Sequence, residues 1–317
     1  MRYKLEKLGC YILIIVLLPY IVTVFLNGPV IATTEQNEEM RVKVQVHNEN
    51  GSMEGESMDI LLRDYGIGIL AREIPATYET EALKAQAIMV RTKIYKEMQE
   101  NGSDTVFEEE FFTKSEMEDA WGVAKYMKYY DKLENAWEET KGQVLMYDEE
   151  FIDTQFFSLI NGNTRYCNYV LVKYYTYLKI KDCPLDIEAA EHLQTKTLDM
   201  NVYGQEDSKQ KEKIDIEILS LDTAGYVLKV RVGDEEVSGE EFRKNFNLAS
   251  SCFSVHEYEG KIRITTRGVG HGIGLSQNTA NKMAGEGKSF EEILKYFYDG
   301  CEIKEIADVV ISDEKGS

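Results

Sequence analysis

Proline and tryptophan are scarce, with 4 and 2 copies in 317 residues. So little proline excludes collagen-like and proline-rich spacer architectures. Cysteine is nearly as rare at 5, too few for a disulfide-stapled scaffold. Cys167, Cys183, Cys252 and Cys301 stand far apart, and His47, His192, His256 and His271 add no paired ligand spacing. Cys252 and His256 make half a metal site without its partner, so no metal is expected. Cations are in deficit: 36 Lys and Arg against 56 Asp and Glu leave a net charge of −20. A nucleic-acid surface needs clustered cations to release counterions, so no nucleic acid is expected as a partner. The chain also lacks a Gly-x-Ser-x-Gly elbow and a phosphate-loop lysine, and no cofactor is expected.

What the chain does have begins with one long uncharged run. Leu8 to Thr34 carry no charged side chain, and Tyr11 to Leu26 is its apolar centre. A membrane-spanning helix needs about 20 such residues. Arg2, Lys4 and Lys7 precede it against Glu6 alone, so the positive-inside rule keeps the N-terminus in the cytoplasm and sends the rest outside. Val30-Ile31-Ala32 offers a small-residue cleavage site, but the apolar run is long for a cleaved signal. The expectation is a cytoplasmic stub and transmembrane anchor over 1–34, then an extracytoplasmic domain over 35–317.

Val42, Val44 and Val46 alternate with polar residues, as a half-buried strand does. Asn, Glu, Gly and Ser crowd 48–57, a loop signal. Apolar residues recur helically from Met58 to Arg72, and Ile74-Pro75 ends that helix, since a residue before proline avoids the helical region. Thr80 reads as the next N-cap, with Glu81 in the first turn. Leu83, Ala87, Val90, Ile94 and Met98 form its apolar stripe. Residues 101–122 read as an acidic loop, with Glu108-Glu109-Glu110 a solvated run. A helix over 126–140 and strands over 143–146 and 151–157 follow. A Tyr-rich stretch precedes the charged region 204–213, the best internal boundary. Ile214, Ile216 and Ile218, a turn at Asp222–Gly225, and Tyr226–Val232 read as a hairpin. A strand at Ile262–Thr265, a glycine-rich loop, and helices over 276–284 and 290–298 complete the chain. The order lacks regular strand–helix alternation, so the class is α+β: a single mixed ectodomain of helices packed with antiparallel strands.

Two features carry candidate chemistry. In Arg267-Gly268-Val269-Gly270-His271-Gly272-Ile273-Gly274 the alternate glycines allow positive φ and close backbone approach. The dinucleotide fingerprint fails there, because Ile273 or Leu275 stands where its last glycine belongs. His271 reads as an acid/base, a ligand or a structural hydrogen-bonder, the last being the commoner role of a lone histidine. Glu73 ends its helix, where the dipole disfavours negative charge and raises the pKa. A carboxyl protonated near neutral pH suits a general acid. Glu81, at a helix N-terminus, suits a base or a cap better. On residue type alone a surface role for either glutamate stays open. Cys167 and Cys183 flank one segment and are a candidate pair for a bridge in an oxidising exterior, which the sequence leaves open.

Asp64-Tyr65, Glu73-Ile74-Pro75-Ala76 and Glu81-Ala82-Leu83-Lys84-Ala85-Gln86-Ala87-Ile88-Met89-Val90-Arg91-Thr92 resemble the stage II sporulation protein D family of the cell wall. So do Thr140-Lys141-Gly142-Gln143-Val144-Leu145, Phe156-Phe157-Ser158 with Asn161-Gly162, and the stretches from Gly268 to Gln277 and from Gly287 to Tyr298. The resemblance spans about 40–305. It implies a peptidoglycan lytic transglycosylase acting on peptide-stripped glycan during engulfment, or a non-catalytic wall-binding scaffold that recruits or activates an amidase. Its implied partners are glycan strands and a cell-wall amidase, and its implied location is the cell membrane at the sporulation septum or engulfing membrane.

The same resemblance puts the catalytic acid at Glu73. It offers Gln86, Arg91 and Thr92 to orient the acid or the sugar, Lys84 to meet a lactyl carboxylate, and Ser158 and Asn161 to bind sugar hydroxyls. Gly270, His271, Gly272, Ser276 and Gln277 would line the cleft from the other side. No second catalytic carboxylate is required, because the muramic C6 hydroxyl is the implied nucleophile. Three segments depart from the family pattern. Leu159-Ile160 replace two polar residues that would face substrate, Asn278-Thr279-Ala280 replace an aromatic and Gly-Ala, and Cys183-Pro184-Leu185-Asp186 lacks an aromatic sugar platform.

Overall fold

The computed structural model describes residues 40–47, 53–102, 104–171, 174–199 and 215–309. The anchor expected over 1–34 and the boundary expected at 204–213 lie outside the described residues. Among the described residues no helix is long and apolar enough to cross a membrane.

The fold is mixed α+β, with seven α-helices and several small sheets among the described residues. The helices are α1 (Leu62–Glu73), α2 (Thr80–Asn101), α3 (Lys114–Trp121), α4 (Val123–Glu139), α5 (Gly239–Asn245), α6 (Gln277–Gly285) and α7 (Phe290–Phe297). Most strand pairs are antiparallel, as expected. Two are parallel: Arg41–His47 with Val106–Phe107, and Phe156–Phe157 with Leu275–Ser276.

Helix α2 is the axis of the molecule. Leu83, Ala87, Val90 and Ile94 pack into one core with α1, α4 and Val42 and Val44. Ala82, Ala85, Ile88 and Met89 pack into a second core with Leu145, Phe157, Leu275 and α7. The apolar stripe reads the first face correctly. The second face was invisible because small alanines interrupt it. A third, smaller core joins the hairpin Ile216–Leu221/Val227–Val232, α5 and the strands Phe253–Tyr258 and Lys261–Arg267. In Lys261–Arg267 the buried positions alternate, with Ile262, Ile264 and Thr266 inward.

Several boundaries differ from expectation. Residues 53–61 form a strand, not a loop running into a helix, and α1 starts only at Leu62. The reason is pairing: Val42 faces Ile60, and Lys43 faces Asp59 with opposite charge. Thr80 is the first residue of α2, and Glu79 is its N-cap. The segment expected as an acidic loop holds Val106–Phe107 and α3, which starts on a Thr113–Glu116 capping box. Cys167, Cys183, Cys252 and Cys301 are all buried and unbridged, the candidate pair Cys167 and Cys183 included. The two thiols instead sit in the second core, Cys167 hydrogen-bonded to the Tyr175 backbone.

Candidate active site

Pro75 fixes where α1 stops. Ile74 is extended, at φ −129° and ψ 138°, which leaves Glu73 as the last helical residue. Its side chain is half-buried. Gln86, fully buried on α2, donates from Nε2 to Glu73 Oε2 at 3.3 Å. Gln277, the first residue of α6, donates from Nε2 to the Glu73 carbonyl at 3.0 Å and to Gln86 Oε1 at 3.4 Å. Ser158 Oγ reaches Gln277 Oε1 at 3.5 Å. Asn281 Oδ1 accepts from the Glu79 N–H at 2.7 Å, so α6 grips the chain on both sides of the 74–78 turn.

The glycine-rich loop sets α6 in place. Gly274 has φ +84°, and a Cβ there would lie 1.9 Å from the Gln155 carbonyl oxygen. Only glycine lets this strand run beside 155–157. Leu159 and Val269 exchange backbone hydrogen bonds at 3.1 and 2.9 Å. The buried Arg165 guanidinium donates to the His271 carbonyl at 3.0 Å and ion-pairs with Asp222 at 2.6 Å.

Glu109 shares the site with Glu73, and sequence reasoning missed it. Its charge acts on the Glu73 carboxyl, and Lys93 Nζ pairs with it at 2.5 Å. The run 108–110 is solvated at its ends, where Glu108 and Glu110 are exposed and Glu110 pairs with Arg72, and only Glu109 is half-buried. The signal lay in the flanking aromatics. Phe107 is buried, and the Phe112 N–H donates to the Gly68 carbonyl at 3.1 Å, which holds the loop against α1. Gly68 leaves the room, since a Cβ there would meet the Phe112 oxygen at 2.6 Å.

Burial pushes the Glu73 carboxyl up to about 8, and the charge of Glu109 adds to the effect. Lys93 and the Gln86 amide act in the opposite direction. The direction matches the helix-end expectation, but the leading cause is desolvation. Burial pushes His271 down to about 4, with Glu240 opposing and Arg243 and Arg165 assisting. Its Nδ1 accepts from the Ile273 N–H at 3.2 Å, a second hydrogen bond goes to the Phe156 backbone, and the ring lies edge-on to Phe157. Of the three readings of His271, these contacts favour the structural one.

The other expected residues divide by their contacts. Arg91 is 3% exposed and donates to the carbonyls of Trp137, Thr140 and Gln143, its guanidinium 4.1 Å from the Trp137 ring centre. Thr92 Oγ1 donates to Ile88 and accepts from the Leu145 N–H. Lys84 pairs with Glu81 at 2.8 Å and Glu139 at 2.7 Å, and Glu81 also accepts from the Phe290 N–H. Ser276 caps α6 and donates to Asp186 at 2.6 Å. Asn161 sits beside Gly225, and Gly270 and Gly272 pack on Phe157 and Ile160. The structure therefore gathers Glu73, Gln86, Gln277 and Ser158, and brings Glu109 and Lys93 to them.

Asp186 explains the departures. Its carboxylate accepts from the Ile160 N–H, Ser276, Asn278 and Thr279 at 2.6–3.0 Å. Asn278 and Thr279 thus serve as partners for a buried anion. Leu159 and Ile160 are 5% and 0% exposed, so they fill core rather than line a sugar site. A hollow of about 640 Å³ lies elsewhere, between Lys96, Tyr147, Asp153 and Tyr174–Tyr177, and does not include Glu73.

Residues 51–147, which hold Glu73, Gln86, Lys93 and Glu109, match the family model described as Stage II sporulation protein. The chain is 33% identical over 262 residues to the stage II sporulation protein D of Bacillus subtilis (strain 168), covering 78% of this chain and 75% of that protein. It is 32% identical over 273 residues to its counterpart in Bacillus amyloliquefaciens, covering 80% and 77%. The amidase enhancer of Bacillus subtilis (strain 168) is 26% identical over 289 residues, 74% of this chain but 39% of that protein. The chain belongs to the stage II sporulation protein D family.

Proposed function

We propose that this protein is a lytic transglycosylase that cleaves peptide-stripped peptidoglycan strands between N-acetylmuramic acid and N-acetylglucosamine. The observation that carries the reading is the Glu73 carboxyl, half-buried at the end of α1, held by Gln86 and pushed up to about 8. At neutral pH such a group is largely protonated and can donate to a leaving oxygen. The proton passes to the bridging oxygen as the C1–O bond breaks and an oxocarbenium-like centre develops. The muramic C6 hydroxyl closes on C1 and returns its proton to Glu73, leaving a 1,6-anhydro end. Gln86 orients the carboxyl, and Gln277 and Ser158 form the opposite wall.

The domain acts outside the membrane over 35–317, anchored through 1–34 at the sporulation septum or engulfing membrane. It works beside an amidase that strips stem peptides. Similarity to an amidase enhancer supports a second reading, a wall-binding scaffold that stimulates an amidase without cutting. Digestion of denuded glycan strands, followed by mass analysis of the ends, separates the two. Anhydro-muramic ends from the wild type and none from Glu73→Gln are expected. No product from folded wild type, with an amidase accelerated by it, supports the scaffold.

A further inference from the structure

We propose that the hollow between the C-terminal turns of α2, the hairpin stretch 147–153 and Tyr174–Tyr177 binds a lysine- or arginine-bearing peptide segment of a partner protein. It holds about 640 Å³, more than one side chain fills. Glu73 is not in its lining, and Lys96 stands ten residues beyond Gln86 on α2, roughly 15 Å along the helix. The inference therefore stands whether or not Glu73 cuts glycan.

The charge of the hollow selects a cation. Among the described residues that line it, Lys96 is the one cation, against Glu100, Asp148, Glu150 and Asp153. Asp153 already pairs with Lys96, and Glu100 lies 3.9 Å from the same ammonium. The last turn of α2 carries no basic residue, and Gln99 and Glu100 of that turn face the hollow, so the negative pole of the helix adds to the field. Among the described residues no three carboxylates converge as metal ligands do. The rings point instead to an organic cation. Tyr147 and Tyr175 each lie 5.3 Å from Tyr177, centre to centre, at tilts of 51° and 40°. The Asp153 N–H donates to the Tyr177 hydroxyl at 2.8 Å and fixes the middle ring. Tyr174 is 60% exposed. Positive φ at Asp148 and Glu149 closes a two-residue turn that sets Glu150 directly opposite Tyr147. A ring and a carboxylate side by side on a hairpin are the two partners that an ammonium or guanidinium uses. A ligand with carboxylates of its own, such as a wall peptide with free acids, meets like charge at Asp148 and Glu150.

The test is calorimetric titration of the full chain, in neutral detergent, with a capped pentapeptide carrying two lysines. Saturable one-to-one binding is expected, weakened about tenfold when both lysines are acetylated. Tyr174→Ala should weaken it roughly threefold or more, and Asp148→Asn with Glu150→Gln by a similar factor. All three side chains are exposed, so these variants are expected to keep the fold. The control is Asp234→Asn with Glu235→Gln, which removes two charges outside the hollow and should leave binding unchanged. No saturable binding, undiminished binding of the acetylated peptide, or an equal loss in the control overturns the inference. Tighter binding of alanyl-glutamyl-lysine with free acids also overturns it, by assigning the hollow to wall peptides.

Discussion

Gln277 Nε2 meets the main-chain carbonyl of Glu73 at 3.0 Å, across 204 positions of sequence. The contact ties the last turn of α1 to the first of α6, and through Gln86 it reaches the Glu73 carboxyl. Two distant motifs therefore meet at one site.

Removing that tie should loosen the acid without unfolding the chain. Gln277→Ala is expected to lower glycan cleavage roughly tenfold, the equivalent of one hydrogen bond of about 1.4 kcal/mol. The loss should fall on kcat more than on KM. Steady-state kinetics on defined strands check it, and a pure KM effect would assign Gln277 to substrate binding.

The raised pKa of Glu73 is also a stability statement. Its carboxyl holds a proton more tightly folded, at about 8, than at the ordinary value of 4.5. The folded state therefore binds more protons between these values, and stability falls as pH rises from 4.5 through 8. Glu73→Gln keeps the shape and removes the ionisation. It should match the wild type near pH 4 and exceed it at about pH 8 by on the order of 1–3 kcal/mol. Urea melts at the two pH values measure this. A variant less stable at both would contradict the buried-acid account.

Arg91 should behave as structure. Arg91→Leu removes a buried donor shared by the Trp137, Thr140 and Gln143 carbonyls. The expected cost is about 2–4 kcal/mol in a urea melt. The pH at which remaining cleavage falls off should not move. A stable variant with no activity would restore Arg91 to the catalytic machinery.

Asp186→Asn should be similarly damaging, because one amide oxygen replaces two that serve four donors. A loss of about 2–4 kcal/mol is expected by thermal or urea melting. A neutral result would mean that Asn278 and Thr279 do not hold the 183–188 turn onto α6.

Much of this was legible in the sequence. Periodicity found the first face of α2, Pro75 marked the end of α1, and the helix end gave the direction in which the Glu73 carboxyl shifts, while the resemblance alone named it as the acid. The alternate glycines correctly signalled close backbone approach. What stayed hidden depends on tertiary proximity. A triple-glutamate run looks solvated until Phe107 and Phe112 pin its middle residue beside another carboxyl. Met58–Leu61 looked helical until the strand opposite claimed it. Leu159 and Ile160 looked like a damaged sugar site because burial, which decides which way a side chain faces, is not printed in a motif.

The central claim is that Glu73 donates a proton while the sugar supplies its own nucleophile. Digestion of denuded glycan in water enriched in oxygen-18 tests it directly. The account predicts anhydro-muramic ends that carry no heavy oxygen, and their loss in Glu73→Gln. Reducing ends labelled with oxygen-18 would show that water attacks, and would contradict it.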